Sequence, residues 1–118
     1  MDTDSVRINI ETAPSIPNLK IITIGGSFDT ITSKQVDEKV LPIIEHEKSN
    51  FILNLSNLIY LSSVGLLRLI KYVTSTSNQE QLLKLVKPPK HIYSTFVAAG
   101  LAKYFDMYDS LEEAISSF

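Results

Sequence analysis

Two adjacent hydroxyls, Ser62 and Ser63, sit where one hydrophobic period gives way to another. Upstream, Phe51–Leu55 is an apolar run of the kind a buried strand uses, and Asn54, Ser56 and Asn57 break it. Downstream, Leu66, Leu69, Ile70 and Val73 fall at i, i+3, i+4 and i+7, one stripe of a helix. The serines therefore open a helix, with Gly65 in its first turn. The N–H groups of a first turn lack intrahelical partners, and the helix dipole places partial positive charge there. An added anion is stabilised at such a point, so a serine there is suited to carry a phosphate. Serines at helix starts are most often caps. The two roles are compatible, with Ser62 capping and Ser63 modified.

Other chemistries find less support. His46 and His91 are isolated from any second ligand at metal spacing, so each reads as a surface histidine and no metal or cofactor is expected. The run Leu61-Ser62-Ser63-Val64-Gly65 lacks the first glycine of a nucleophile elbow, and no Ser-His-Asp order accompanies it. Gly25-Gly26 is not followed by the Gly-Lys-Ser/Thr of a P-loop. Tyr60, Tyr72, Tyr93, Tyr104 and Tyr108 are scattered and form no base-stacking platform. A net charge of −2 with eleven dispersed Lys and Arg offers no basic stripe for nucleic acid or anionic membrane. The absence of cysteine excludes disulfides and thiolate chemistry and suits a reducing compartment. The opening MDTDSVRI has no leader pattern, and no apolar run approaches the ~20 residues needed to cross a bilayer. With 118 residues of which 44% are hydrophobic, a single cytoplasmic domain is the expectation, and none of these motifs marks an enzyme.

The elements that must position the serines can be read in order. Ser5–Glu11 alternates as a half-buried strand, Pro14 and Pro17 mark a turn, and Leu19–Ile24 is a more central strand that Gly25-Gly26 ends. Ser27–Thr32 reads as a loop, and Thr32 or Ser33 caps a helix carrying Val36, Val40, Ile43 and Ile44 on one face. Pro42 lies inside that helix and predicts a bend, or an end near Ile44 to His46. Phe51–Leu55 is the third strand, and the helix from Ser63 runs to about Thr76 before a polar connection, Thr74–Gln81. Leu82–Val86 is a fourth strand stopped by Pro88-Pro89. Ile92, Phe96 and Ala99 give a short helix ending at Gly100, and Tyr104–Tyr108 a last strand. Ser110 and Glu113 form a capping box for a final helix with Leu111, Ala114 and Ile115 inward. The order β-β-α-β-α-β-α-β-α predicts an α/β fold with a four- to five-stranded mixed sheet and about four helices.

At the serine junction the chain resembles a STAS domain, specifically the single-domain anti-sigma factor antagonists of bacteria. The family's pattern is a strand ending in Asp-Leu-Ser, then Asp-Ser-Ser-Gly-Leu opening a helix. The corresponding segments here are Asn54-Leu55-Ser56 and Ser62-Ser63-Val64-Gly65-Leu66. Gly26-Ser27-Phe28-Asp29 is similar to the family's Gly-x-Leu-Asp after the second strand. Ala99-Gly100-Leu101, Phe105-Asp106-Met107-Tyr108 and Ser110-Leu111-Glu112-Glu113-Ala114 are similar to its closing segments. The resemblance covers nearly all of the chain. It implies a STAS-like fold and a serine phosphorylated by the cognate anti-sigma factor, a kinase of the histidine-kinase-like ATPase type. Only the unphosphorylated antagonist then binds that factor, freeing a sigma factor for transcription, and a serine phosphatase would reset it. The acceptor serine falls on Ser63. Ser62, Val64 and Asn54 stand where the family carries Asp, Ser and Asp, which keeps the hydroxyl and removes two carboxylates.

Projected at about 100° per residue, Val64, Leu67, Arg68 and Lys71 point away from the core stripe or lie at its edge, as a partner patch beside Ser62, Ser63 and Gly65 would. Asp29 and Thr30 follow the carboxyl end of a strand and are expected near the serine, where open α/β sheets place their sites. Asp29 equally suits a turn cap. Two other readings stand beside the switch. One is an unphosphorylated scaffold in a signalling or lipid-transport complex. The other is a small-ligand or nucleotide sensor using Gly25–Thr30.

Overall fold

A computed structural model describes residues 5–118; residues 1–4, which head the stretch read above as carrying no leader, lie outside it. Strands β1 (Val6–Thr12) and β2 (Leu19–Phe28) form an antiparallel pair, as the alternation and the two prolines predict. Helix α1 (Ser33–His46) follows, then β3 (Asn50–Asn54), β4 (Leu58–Leu61) and α2 (Ser63–Asn78). The chain closes with β5 (Leu83–Val86), α3 (Lys90–Ala98), β6 (Met107–Tyr108) and α4 (Leu111–Ser116). The sheet runs β1-β2-β3-β5-β6 with β3, β5 and β6 parallel to one another and to β2.

The mixed sheet is as expected, with one strand more than the sequence reading allowed. That strand is β4, and its presence is linked to a second correction. Gly25-Gly26 does not end β2; the strand continues to Phe28 because β4 pairs with its second half, Gly26↔Leu58 through Phe28↔Leu61, in parallel. The register slips between Gly26 and Ser27, making Ile59 the extra residue of a bulge. Gly26 takes φ +85°, which a side chain would resist. β2 thus has β1 along one edge, while its other edge is shared by β3 and then β4.

Alternation along the strands divides the core. Ile22, Ile24, Phe51, Leu53 and Leu85 face one side, under Val36, Val40 and Ile44 of α1, Leu66, Leu69 and Tyr72 of α2, and Ile92 and Phe96 of α3. Leu19, Ile21, Ile52 and Val86 face the other, under Ala114 with Leu111 and Ile115 of α4. Each such side chain contributes roughly 1.5–3 kcal/mol on burial. α1 continues through Pro42 and ends at His46, within the range Ile44 to His46 read from the sequence. Beyond α3, Gly100 takes φ +72° and the N–H groups of Gly100 and Leu101 bond to the carbonyls of Val97 and Phe96, the left-handed helix end read from the sequence. α4 begins with the Ser110 hydroxyl accepting from the Glu113 N–H at 3.1 Å.

Candidate functional site

The serine junction is built by β4 delivering the chain to the end of β2. Leu61, buried, pairs with Phe28, and the next N–H, that of Ser62, donates to the Phe28 carbonyl at 3.0 Å. Ser62 is extended (φ −83°, ψ 172°), and its Oγ accepts from the Gly65 N–H at 3.1 Å. Ser62 is therefore the N-cap of α2, and its carbonyl takes the Leu66 N–H at 2.9 Å. Ser63 is the first helical residue. It is exposed, and its hydroxyl makes no hydrogen bond among the described residues. The first turn of α2 contains no acidic side chain, so nothing in it offsets the positive end of the dipole.

Gly65 is buried, so it presents no surface to a partner; its role is to allow close approach. A β-carbon there would stand 2.5 Å from the Phe28 carbonyl oxygen and 2.7 Å from Leu61 Cδ1. Phe28, the last residue of β2, is thereby pressed against the start of α2, and Asp29 and Thr30 follow it directly in the chain. Asp29 is engaged as a turn cap: its Oδ1 accepts from the N–H groups of Ile31 and Thr32, both at 3.0 Å. The Thr32 hydroxyl donates to the Ser27 carbonyl at 2.7 Å and accepts from the Asp29 N–H. Thr32 occupies the N-cap position of α1 without capping it through its side chain. Of the stretch Gly25–Thr30 read as a ligand loop, Gly25 through Phe28 belong to β2 and are buried, leaving only Asp29 and Thr30 at the surface.

The outer face of α2 is partly as projected. Leu67 and Lys71 are exposed, and Val64 is half-buried. Arg68 is not a loose surface cation: its Nη1 lies 3.3 Å from Asp37 Oδ2 on α1. Asp37 also accepts from the Tyr72 hydroxyl at 2.5 Å. Tyr72, read among the scattered tyrosines, is fully buried, while Ile70 and Val73 lie at the core's edge. The buried stripe is Gly65, Leu66, Leu69, Tyr72 and Thr76, rotated from the projected one. The spacing Gly65, Leu69, Tyr72, Thr76 carries the same helical period, and an aromatic on it was a usable signal. Burial, then the Asp37 carboxylate, raises the Tyr72 phenol well above its ordinary range, against a smaller opposing pull from Arg68.

Sequence reasoning missed Ile31, which is 80% exposed on the loop that follows Phe28. Its signal was an isoleucine in an otherwise polar turn. Among the described residues no group of three or more His, Asp or Glu could hold a metal; His91 is exposed, its Nε2 3.0 Å from the Ile59 carbonyl.

A mixed sheet with a serine pair at the β4–α2 joint defines a small α/β domain of a known kind. A family model of the STAS domain matches residues 7–114, and the chain belongs to that family. In structure it is similar to an anti-sigma factor antagonist from Mycobacterium paratuberculosis, with TM-score 0.80 and 20% identity over 97% of this chain and 94% of that one. It is similar also to the anti-sigma factor antagonist SpoIIAA in its unphosphorylated form, with TM-score 0.77 and 19% identity over 94% and 95% of the two chains. The phosphorylated form of the Bacillus SpoIIAA matches with TM-score 0.71 and 19% identity over 94% and 98%. A fourth likeness is to the murine anion transporter Slc26a9, with TM-score 0.74 and 14% identity over 93% of this chain and 21% of the transporter. No curated protein matches by sequence. Among the described residues no helix is long and apolar enough to cross a membrane.

Proposed function

We propose that this chain is an anti-sigma factor antagonist, a binding protein switched by phosphorylation of Ser63. The observation that carries the reading is the division of labour between neighbouring hydroxyls. Ser62 is committed to the Gly65 N–H, whereas Ser63 is exposed on the first turn and uncommitted. A phosphate on Ser63 adds about −1.5 to −2 charges. The helix start accommodates that charge without refolding the domain. Its effect falls on the neighbour: an acidic or desolvating partner surface can dock against the hydroxyl and is repelled by the phosphate.

The docking face consists of Ser62, Ser63, Val64, Leu67 and Lys71 with Asp29, Thr30 and Ile31 on the adjoining loop. Exposed Ile31 and Leu67 supply apolar anchors, and Lys71 a rim charge. Arg68 and Gly65 support this face from within. The partner is an anti-sigma factor that is itself a serine kinase of the histidine-kinase-like ATPase type, and a serine phosphatase reverses the modification. The likeness to SpoIIAA in both its forms supports this reading. Incubation with candidate anti-sigma kinases and ATP, followed by intact-mass analysis, tests it. One phosphate is expected on the wild type and none on Ser63→Ala, which still binds the partner; Ser63→Asp weakens binding. Phosphate on another residue overturns the assignment.

The likeness to part of the Slc26a9 transporter favours a second reading, a scaffold module that is never phosphorylated. Asn54 and Ser62 in place of the family's aspartates support it too. Partner binding indifferent to Ser63→Asp is the result that reading requires.

A further inference from the structure

On the sheet face opposite α1, α2 and α3, helix α4 packs on β3, β5 and β6, and among the described residues Arg7 and Asn9 of β1 are exposed. The paired positions there are Arg7↔Gly25 and Asn9↔Thr23. They are polar, glycine or charged, whereas Ile21, Ile52 and Val86 on the same face are covered and apolar. This is also where β2 changes neighbours, from Thr23↔Asn54 on β3 to Gly26↔Leu58 on β4. The chain between those strands turns outward through Asn57 and leaves a notch of about 240 Å³ lined by Arg7, Ile8, Asn9, Thr23, Gly25 and Asn57. The notch lies toward the carboxyl ends of β2 and β3, where α/β sheets place ligands.

Gly25 forms its floor. A β-carbon there would stand 3.3 Å from Arg7 Nη2 and 3.2 Å from Asn57 Cβ, so the guanidinium lies across the glycine toward Asn57. Arg7 forms no ion pair or hydrogen bond among the described residues. A guanidinium laid along a notch beside neutral amides and a hydroxyl has the makings of an oxyanion receptor.

We propose that this notch binds a small carboxylate. Arg7 would hold the two oxygens bidentately, with the amides of Asn9 and Asn57 and the Thr23 hydroxyl as further donors, over a floor formed by the Gly25 backbone. A single cation among neutral donors matches a monoanion rather than a phosphate dianion. The volume lies below the roughly 300–1,000 Å³ of sites for drug-sized molecules, so the ligand has only a few heavy atoms. The site lies on the opposite sheet face from α2, and the inference stands independently of the Ser63 switch.

The test uses the full chain labelled with nitrogen-15 and titrated with sodium propionate, inorganic phosphate and sodium chloride at matched ionic strength. Propionate is expected to give saturable shifts of the amides of Arg7, Asn9, Thr23, Gly25 and Asn57. Arg7→Gln, and Gly25→Ala, which pushes a methyl at the guanidinium, should weaken binding by about tenfold or more, a factor of ten being about 1.4 kcal/mol. Shifts that never saturate, that chloride reproduces, or that persist unchanged in Arg7→Gln overturn the proposal. Phosphate binding as tightly as propionate overturns it as well.

Discussion

The carbonyl oxygen of Phe28 occupies the space a side chain at Gly65 would need: a β-carbon there would stand 2.5 Å from it. The same oxygen accepts the Ser62 N–H, so one backbone group fixes both the cap residue and the helix it starts. Gly65→Ala must push that backbone aside. Overpacking against main chain costs roughly 1–3 kcal/mol. We expect that loss in urea unfolding, together with altered amide shifts at Asp29, Thr30 and Ile31. A stability within 0.5 kcal/mol of wild type, the usual range for a surface change, would show that the contact is not a constraint.

The two serines should separate cleanly. Ser62→Ala removes the acceptor of the Gly65 N–H and should cost about 1 kcal/mol, while Ser62→Asp keeps an acceptor and should cost less. Ser63→Ala removes a hydroxyl without a partner and should leave stability within about 0.5 kcal/mol. Equal losses for Ser62→Ala and Ser63→Ala in parallel denaturation curves would contradict this division.

How far the chain could be read depended on how local each determinant is. The α2 start was legible because a cap serine, a glycine and a helical apolar period follow one another within a few residues. β4 was not: of Leu58–Leu61 only the two ends are buried, so no alternation marks it as a strand. The end of β2 was misplaced for a related reason. Gly25-Gly26 reads as a stop unless one knows that β4 arrives to pair beyond it. Tyr72 and Asp37 lie 35 residues apart in sequence, and no spacing rule joins them. Arg68 looked free for the same reason, its partner being on another helix.

The last turn of the chain hangs on Lys84. Its Nζ, in the buried row of β5, donates to the Ser117 carbonyl at 3.0 Å and to Ser117 Oγ at 2.8 Å. It also lies 4.4 Å from the Phe118 ring centre. Lys84→Met keeps most of the apolar stem and removes the ammonium. Hydrogen bonds to charged groups contribute about 1.5–3 kcal/mol, so the opening free energy of α4 amides should fall by that order. Hydrogen exchange in α1 and α2 should stay as in wild type. An unchanged α4 would mean that its apolar packing alone secures it.

The Tyr72–Asp37 hydrogen bond makes a prediction whose sign depends on pH. In the fold, burial first and the carboxylate second hold the phenol in its neutral form, whereas in the unfolded chain it ionises from an ordinary value of 10.0. A folded value raised above the unfolded one means that the contribution is fully present below about pH 10 and is lost as pH climbs further. In that alkaline window the unfolded state sheds a proton that the folded state keeps, so stability falls by up to about 1.4 kcal/mol per pH unit. Tyr72→Phe has no such proton. At neutral pH it should be less stable than wild type by about 1.5–3 kcal/mol, having lost a bond to a charged acceptor. Above about pH 10 the gap should close, because only the wild type carries this extra slope, while lysines and the other tyrosines titrate in both proteins. Urea midpoints measured from neutral pH to about pH 11 would check this. Parallel curves for the two proteins would mean that Tyr72 ionises in the fold as readily as it does in the unfolded chain.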